Sequence, residues 1–177
     1  LLSVKYTDYA YPDNRLFFTN RGFAKKAGGA EVEMGVRRAG REAAVKILYA
    51  VEFGEKTRQD AIEEYWQGHK GSPKVKEFTS KLVNGVRENR EPIDEMINGA
   101  SDNWPVSRMG EVDRNIMRVA AFEIMECPEV PPSAVINEAV EMARIYVDKE
   151  SALFINGVLG KILGETEMLK KQRSGDK

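Results

Sequence analysis

The sequence is poor in the residues that most often carry chemistry. Its 177 residues include one cysteine, Cys127, and one histidine, His69. One cysteine forms no internal disulfide, which fits a reducing compartment. One histidine and one cysteine fall short of the four N/S ligands of a structural zinc site. No run approaches the ~18 apolar residues of a membrane span. The opening Leu1–Tyr11 breaks short apolar pieces with Asp8 and matches a signal peptide poorly. The expectation is therefore a cytoplasmic protein. An excess of one charge is missing too: 27 Lys+Arg against 28 Asp+Glu give a net charge of −1. That balance offers no chain-wide support for nucleic-acid binding, although it leaves room for a local basic patch. Nucleotide motifs are absent as well. Gly160-Lys161 runs into Ile162 and lacks the preceding glycine of a phosphate-binding loop, and no strand–glycine-rich turn–helix unit is present for a dinucleotide or S-adenosylmethionine. A nucleophile–histidine device would have to use His69, which sits in the exposed-looking loop Gly68-His69-Lys70-Gly71. The carboxylate pairs Glu63-Glu64 and Glu138 with Glu141 read as solvated helix faces. No catalytic residue, metal or cofactor is expected.

What is present is helical periodicity. Apolar residues make up 42% of the chain, enough for a core, and the length suits one domain with an appendage. Residues 1–33 hold Tyr6, Tyr9, Tyr11, Phe17, Phe18 and Phe23 without a sustained period, and read as an N-terminal extension, tail or translated upstream segment. From Met34 onward the three- and four-residue spacing predicts helices throughout. The first runs over 36–53 through Ala43, Ile47, Leu48 and Val51 and stops at Gly54. The second is capped by Thr57. The third has Ser72 as cap and Pro73 at its first position. The fourth opens at Pro92, the fifth spans 110–126, the sixth is capped by Ser133, and the seventh spans 150–163. The fifth is apolar on most faces, which predicts the centre of the core. Nothing alternates with period two over two runs that could pair as a sheet. The fold class is all-α, a compact bundle of about seven helices, with a domain over 34–164 and a charged tail over 165–177 expected to fray.

Two placements of charge stand out. Arg37, Arg38, Arg41 and Lys46 crowd the start of the first helix, opposed only by Glu42. Cations in a first helical turn oppose the helix dipole, and the planar guanidinium fork suits phosphate. An arginine-rich segment of this kind can order on RNA; a solvated helix face is the alternative. In the fifth helix Asp113, Arg114, Arg118 and Glu123 interrupt apolar surroundings, as internal ion pairs or as a ridge that meets a partner.

Four blocks in order carry a resemblance. Arg37-Arg38-Ala39-Gly40-Arg41-Glu42-Ala43-Ala44-Val45-Lys46-Ile47-Leu48-Tyr49 and Glu111–Glu123 are the first two. Val130-Pro131-Pro132 with Val135–Ala143, then Phe154-Ile155-Asn156-Gly157-Val158-Leu159, complete the set. Together they resemble the NusB family of bacterial transcription antitermination factors over about residues 36–163. The resemblance implies two small helical subdomains and no enzyme activity. It implies binding to single-stranded boxA RNA of nascent rRNA transcripts with ribosomal protein NusE, in a complex with other Nus factors and RNA polymerase, and a capacity to form homodimers. By position it assigns Arg37, Arg38, Arg41, Lys46, Glu150, Phe154 and Asn156 to RNA, and Tyr49, Asp113, Phe122 and Glu123 to NusE. Phe122 stands where the family has a tyrosine, so a phenolic hydrogen bond is lost there. Ser151-Ala152 replaces a Ser-His pair. With Gly40 inside the arginine segment, RNA affinity is expected to be weak without NusE. Two other readings fit: an RNA-binding accessory domain related to rRNA cytosine methyltransferases, which would precede an α/β catalytic domain, and a homodimeric helical scaffold.

Overall fold

The structure, a computed structural model, describes residues 29–53, 57–102 and 104–175. The N-terminal segment expected as an extension lies, up to residue 28, outside the described residues. Helices follow one another as α1 (Gly29–Phe53), α2 (Arg58–Gly68), α3 (Pro73–Glu88), α4 (Arg90–Ala100), α5 (Glu111–Glu126), α6 (Pro132–Tyr146) and α7 (Lys149–Gly175), with a 3₁₀ turn at Val106–Arg108. No strand occurs among the described residues.

Local chemistry sets most of the boundaries. The Thr57 hydroxyl accepts from the Asp60 N–H, and the Ser72 hydroxyl from the Val75 N–H, so α2 and α3 start with one orphan donor satisfied each. Four boundaries depart from the sequence expectation. Helix α1 begins at Gly29, seven residues before Val36. Arg37, Arg38 and Arg41 therefore lie beyond the first turn, and the dipole penalty expected there does not apply. Helix α4 begins at Arg90 and not at Pro92, because a proline in the first turn gives up only an N–H that has no helical partner. Helix α6 is entered through Pro131 and Pro132, with Ser133 already inside it and no side-chain cap bond. Helix α7 runs on past Gly164 to Gly175. The Glu165–Arg173 stretch is rich in good helix formers, and Glu167 and Lys171 are four apart.

Helix α5 is the axle. It touches α1, α3, α4, α6 and α7, while α1–α3 and α4–α7 otherwise pack mainly among themselves, α6 most extensively on α7. Ile116, Met117, Val119 and Ala121 of α5 are fully buried, as are Ile47, Leu82, Ile93, Ile97, Ile155, Leu159 and Ile162 around it. Each large aliphatic side chain so buried contributes roughly 1.5–3 kcal/mol. Close approach is built in at two glycines. A Cβ on Gly40 would sit 2.6 Å from the Phe78 ring, and one on Gly85 would overlap the Phe122 ring. Gly40 thus has a packing reason: it lets α3 come against α1.

Candidate functional site

The basic segment of α1 separates into two populations. Arg37, Arg38 and Lys46 are half-buried at the surface. Arg37 lies 5.8 Å from the centre of the Phe78 ring. Arg38 Nε is 3.5 Å from Glu42 and 4.0 Å from Glu138, so two carboxylates share its charge. Lys46 Nζ stands 5.6 Å over the Tyr146 ring. Burial lowers the Lys46 pKa, with Glu42 partly offsetting it. Burial, helped by the Glu42 carboxylate, raises the Tyr146 phenol. The same two causes push Tyr65, on α2, up to about 12.

Arg41 is different. It is 4% exposed and donates from Nε and Nη2 to both oxygens of Glu123, at 2.6 and 2.9 Å, while Glu123 is 0% exposed. Arg41 thus does not share a surface with Arg37, Arg38 and Lys46. A phosphate contact from Arg41 would require breaking this buried bidentate pair. Glu123 likewise offers no surface to a partner protein, and neither does Phe122, whose ring is closed against Gly85.

Helix α5 resolves the choice between ion pairs and ridge residue by residue. Arg118 donates to Asp94 at 2.7 and 2.8 Å and to Glu52 at 2.5 Å. Arg114 and Asn115 each donate to Glu52 Oε2 at 3.0 Å. Arg114 also donates to the Met109 carbonyl at 3.2 Å. This network ties α1, α4 and α5 together at one carboxylate. Burial alone would raise the Glu52 carboxyl, but hydrogen bonds and charge from Arg114 and Arg118 outweigh it and hold the pKa below the ordinary value.

Asp113 takes no part in that network. It is 6% exposed, and its Oδ1 has no hydrogen-bond partner. Its Oδ2 accepts from the Ser151 hydroxyl at 3.3 Å. Burial pushes its pKa up to about 6, against the Ser151 hydrogen bond and with the help of Asp148. It faces a cavity of about 270 Å³ lined also by Ser101, Asp102, Trp104, Met109, Gly110, Glu150, Ser151 and Phe154. The cavity forms where the end of α4 and the beginnings of α5 and α7 converge. Asp102 has φ +31° in the turn that closes one side, a left-handed conformation that Asp tolerates better than most residues, and it is ion-paired to Lys161.

The structure thus brings Asp113, Glu150 and Phe154 into one place. Asn156 is exposed two residues further along α7. Tyr49 is half-buried, its phenol raised by burial and by Glu111 at the start of α5. Sequence reasoning missed Trp104, Met109 and Ser151 as cavity walls and Tyr146 as the ring under Lys46. Each joins residues far apart in the chain. The signal that was available was Trp104-Pro105, an aromatic in a connector. His69 is half-buried in α2's C-terminal cap, stacked 4.1 Å from the Tyr65 ring, with Nδ1 2.9 Å from the Tyr65 carbonyl oxygen. Among the described residues no group of three or more His, Cys, Asp and Glu is placed to hold a metal ion, and no helix is long and apolar enough to cross a membrane.

Comparison with known proteins matches this architecture. The NusB family model matches residues 38–164. The transcription antitermination protein NusB of Sorangium cellulosum is 43% identical over 129 residues, 73% of this chain and 92% of that protein. The solved NusB of T. maritima is 32% identical with a TM-score of 0.67, covering 73% of this chain and 91% of that one. A chain from a crystal structure of the antitermination factors NusB and NusE in complex with dsRNA is 25% identical, also at a TM-score of 0.67, over 75% of this chain and 98% of that one. With the family model spanning α1 to α7 and the helical packing shared, the chain belongs to the NusB family.

Proposed function

We propose that this protein is a transcription antitermination factor that binds boxA RNA of nascent rRNA transcripts together with ribosomal protein NusE, and catalyses no reaction. In this reading it acts within a complex of other Nus factors on RNA polymerase. The observation that carries the RNA half is the run of cations on α1. Arg37, Arg38 and Lys46 lie on α1, Lys46 over the Tyr146 ring at the end of α6, and Glu150, Phe154 and Asn156 follow in sequence at the start of α7. Cations interleaved with aromatic rings suit a single strand, whose phosphates need charge and whose unstacked bases need flat partners. The NusB relatives named for antitermination, and the similar chain solved with NusE and dsRNA, support the same reading. Two carboxylates share Arg38, so the RNA is held weakly by this chain alone and NusE supplies the remaining contacts.

Gel shift on boxA RNA and a scrambled RNA, with and without purified NusE, tests this. Preferential retention of boxA RNA when NusE is added is the expected result. Equal retention of both RNAs with NusE present would leave only a nonspecific electrostatic role.

A further inference from the structure

Tyr65 and His69 form a stack at the end of α2 that the cations of α1 do not use. Their rings lie parallel, 4.1 Å between centres and 4° between planes, and His69 Nδ1 is 2.9 Å from the Tyr65 carbonyl oxygen. A carbonyl oxygen only accepts, so Nδ1 carries the proton and the imidazole is fixed in orientation as well as in place. Trp66 stands edge-on to Tyr65, 4.9 Å between centres, and supports the stack from the side. Gly71 lets the loop close on Trp66, since a Cβ there would lie 2.5 Å from the indole. Tyr65 covers one face of His69; the ring stays only half-buried, between Gly68 and Lys70, which are both exposed. The stack adjoins the α1 face. Glu42 is the common neighbour of Arg38, Lys46, Tyr65 and Tyr146: it pairs with Arg38, partly offsets the lowered Lys46 pKa and helps to raise both phenols. Around His69 the exposed Lys70, Lys74 and Lys76 balance the exposed Glu63, Glu64 and Glu77, so the place offers ring surface more than charge.

We propose that His69 is a stacking platform for one base of the single-stranded RNA, the base lying on the ring face that Tyr65 leaves open and lengthening the Tyr65–His69 stack to three rings. The inference rests on the reading that RNA binds along the cations of α1, and it adds to that face a contact made by α2. A phosphate would find no net charge to hold it here, whereas every base has a flat face that an aromatic ring can cover. The Tyr65 ring and carbonyl already hold the imidazole in one orientation, so the base meets a side chain with little freedom left to lose. Continuity through Glu42 to Arg38 and Lys46 places the backbone of the same strand within reach of the α1 cations.

His69 is the only histidine of the chain, so its ring C–H signals stand alone in an NMR spectrum. BoxA RNA extended by several unpaired nucleotides at each end is added to the isotopically labelled full chain, with and without unlabelled NusE. The expected result is an upfield shift of the His69 ring signals, as the ring current of a stacked base requires. In fluorescence anisotropy with the same RNA, His69→Ala binds about fivefold or more weakly, and His69→Phe stays within about twofold of wild type. Phenylalanine stacks but neither hydrogen-bonds nor carries charge, so its rescue separates ring surface from the helix-capping bond. Neither variant changes the slope of log K against log salt, because stacking releases no counterion. Unmoved His69 signals with RNA bound, or equal affinity of wild type and His69→Ala, overturns the platform and leaves the α1 reading intact. A flattened salt slope in His69→Ala overturns it in favour of a phosphate contact. A shift on adding NusE alone overturns it in favour of a protein contact. If the RNA binds wild type neither with NusE nor without it, the RNA reading falls and the platform falls with it.

Discussion

Arg41 and Glu123 stand 82 positions apart in the chain and 2.6 Å apart in space. From sequence, Arg41 belonged with Arg37 and Arg38, because spacing on one helix is all that one segment reveals. Its burial is decided by a carboxylate on α5. Buried pairs of this kind are costly to break from one side, since the orphaned charge stays in a low-dielectric site. Arg41→Met is expected to lower stability by roughly 3–5 kcal/mol in urea denaturation, whereas Arg41→Met with Glu123→Leu recovers most of the loss. Retained instability in the double variant would mean that the pair contributes more than mutual neutralisation. A loss of RNA binding in Arg41→Ala thus reports unfolding before it reports contact. Asp113 works in the opposite sense. Its pKa is raised to about 6 from an ordinary 3.8, so the folded protein holds a proton that the unfolded chain releases, and stability falls as pH rises between those values. Above that window the ionised carboxylate destabilises by about 2–3 kcal/mol. Asp113→Asn should therefore melt at a higher temperature than wild type at neutral pH, with the difference shrinking as pH falls towards 4. A neutral-pH Tm no higher than wild type would show that Asp113 is not strained by burial. A side chain that weakens the fold yet shapes a cavity is what a binding group looks like.

At the scale of helices, the sequence made the type and number of elements legible, and the caps at Thr57 and Ser72 as well, because periodicity and capping are local. The starts of α1 and α4 and the end of α7 were not, because nothing local stops a helix at those points. Why α5 carries arginines became clear only in three dimensions. Glu52 of α1 receives Arg114, Asn115 and Arg118 of α5, and Arg118 reaches on to Asp94 of α4. One carboxylate thereby clamps the first group of helices to the second. Glu52→Gln leaves Arg114 and Arg118 under-compensated and is expected to destabilise by roughly 2–4 kcal/mol. The Glu52 pKa is lowered in the folded state, so its contribution is complete above the ordinary 4.5 and is lost as pH falls through the lowered value. The gap between wild type and Glu52→Gln in urea denaturation should close below about pH 4.5; a gap independent of pH would assign the loss to shape and not to charge. The far end of α7 makes the contrast. Met168 and Leu169 are 59% and 55% exposed, and the helix there has little to pack against. Removing residues 165–177 should change stability by less than about 1 kcal/mol, read as an almost unchanged urea midpoint.

For the whole molecule, the net charge of −1 conceals a division. The first 33 residues carry five Lys/Arg and four Asp/Glu, which leaves the remaining 144 with a net of −2. A domain slightly negative overall does not draw RNA from a distance. Its attraction is confined to about a Debye length from the α1 cations, and the acidic cavity at Asp113 lies on the unfavourable side of that balance. Counterion release makes the number of engaged cations measurable. The sequence offered four, Arg37, Arg38, Arg41 and Lys46, for a slope of log K against log salt of about −3. With Arg41 withdrawn into its pair with Glu123, three are left and the slope for single-stranded RNA should be about −2. Fluorescence anisotropy with labelled boxA RNA over a series of KCl concentrations reads it directly. Arg38→Ala should flatten it by a further ~0.7 without changing the melting temperature appreciably, because that side chain is only half-buried and its ion pairs are long. A slope near zero would remove α1 from the RNA interface. A slope of −3 would mean that a fourth cation engages, and Arg41 is the one at hand. RNA would then bind at the expense of the Arg41–Glu123 pair, and Glu123 would be left as a buried lone carboxylate.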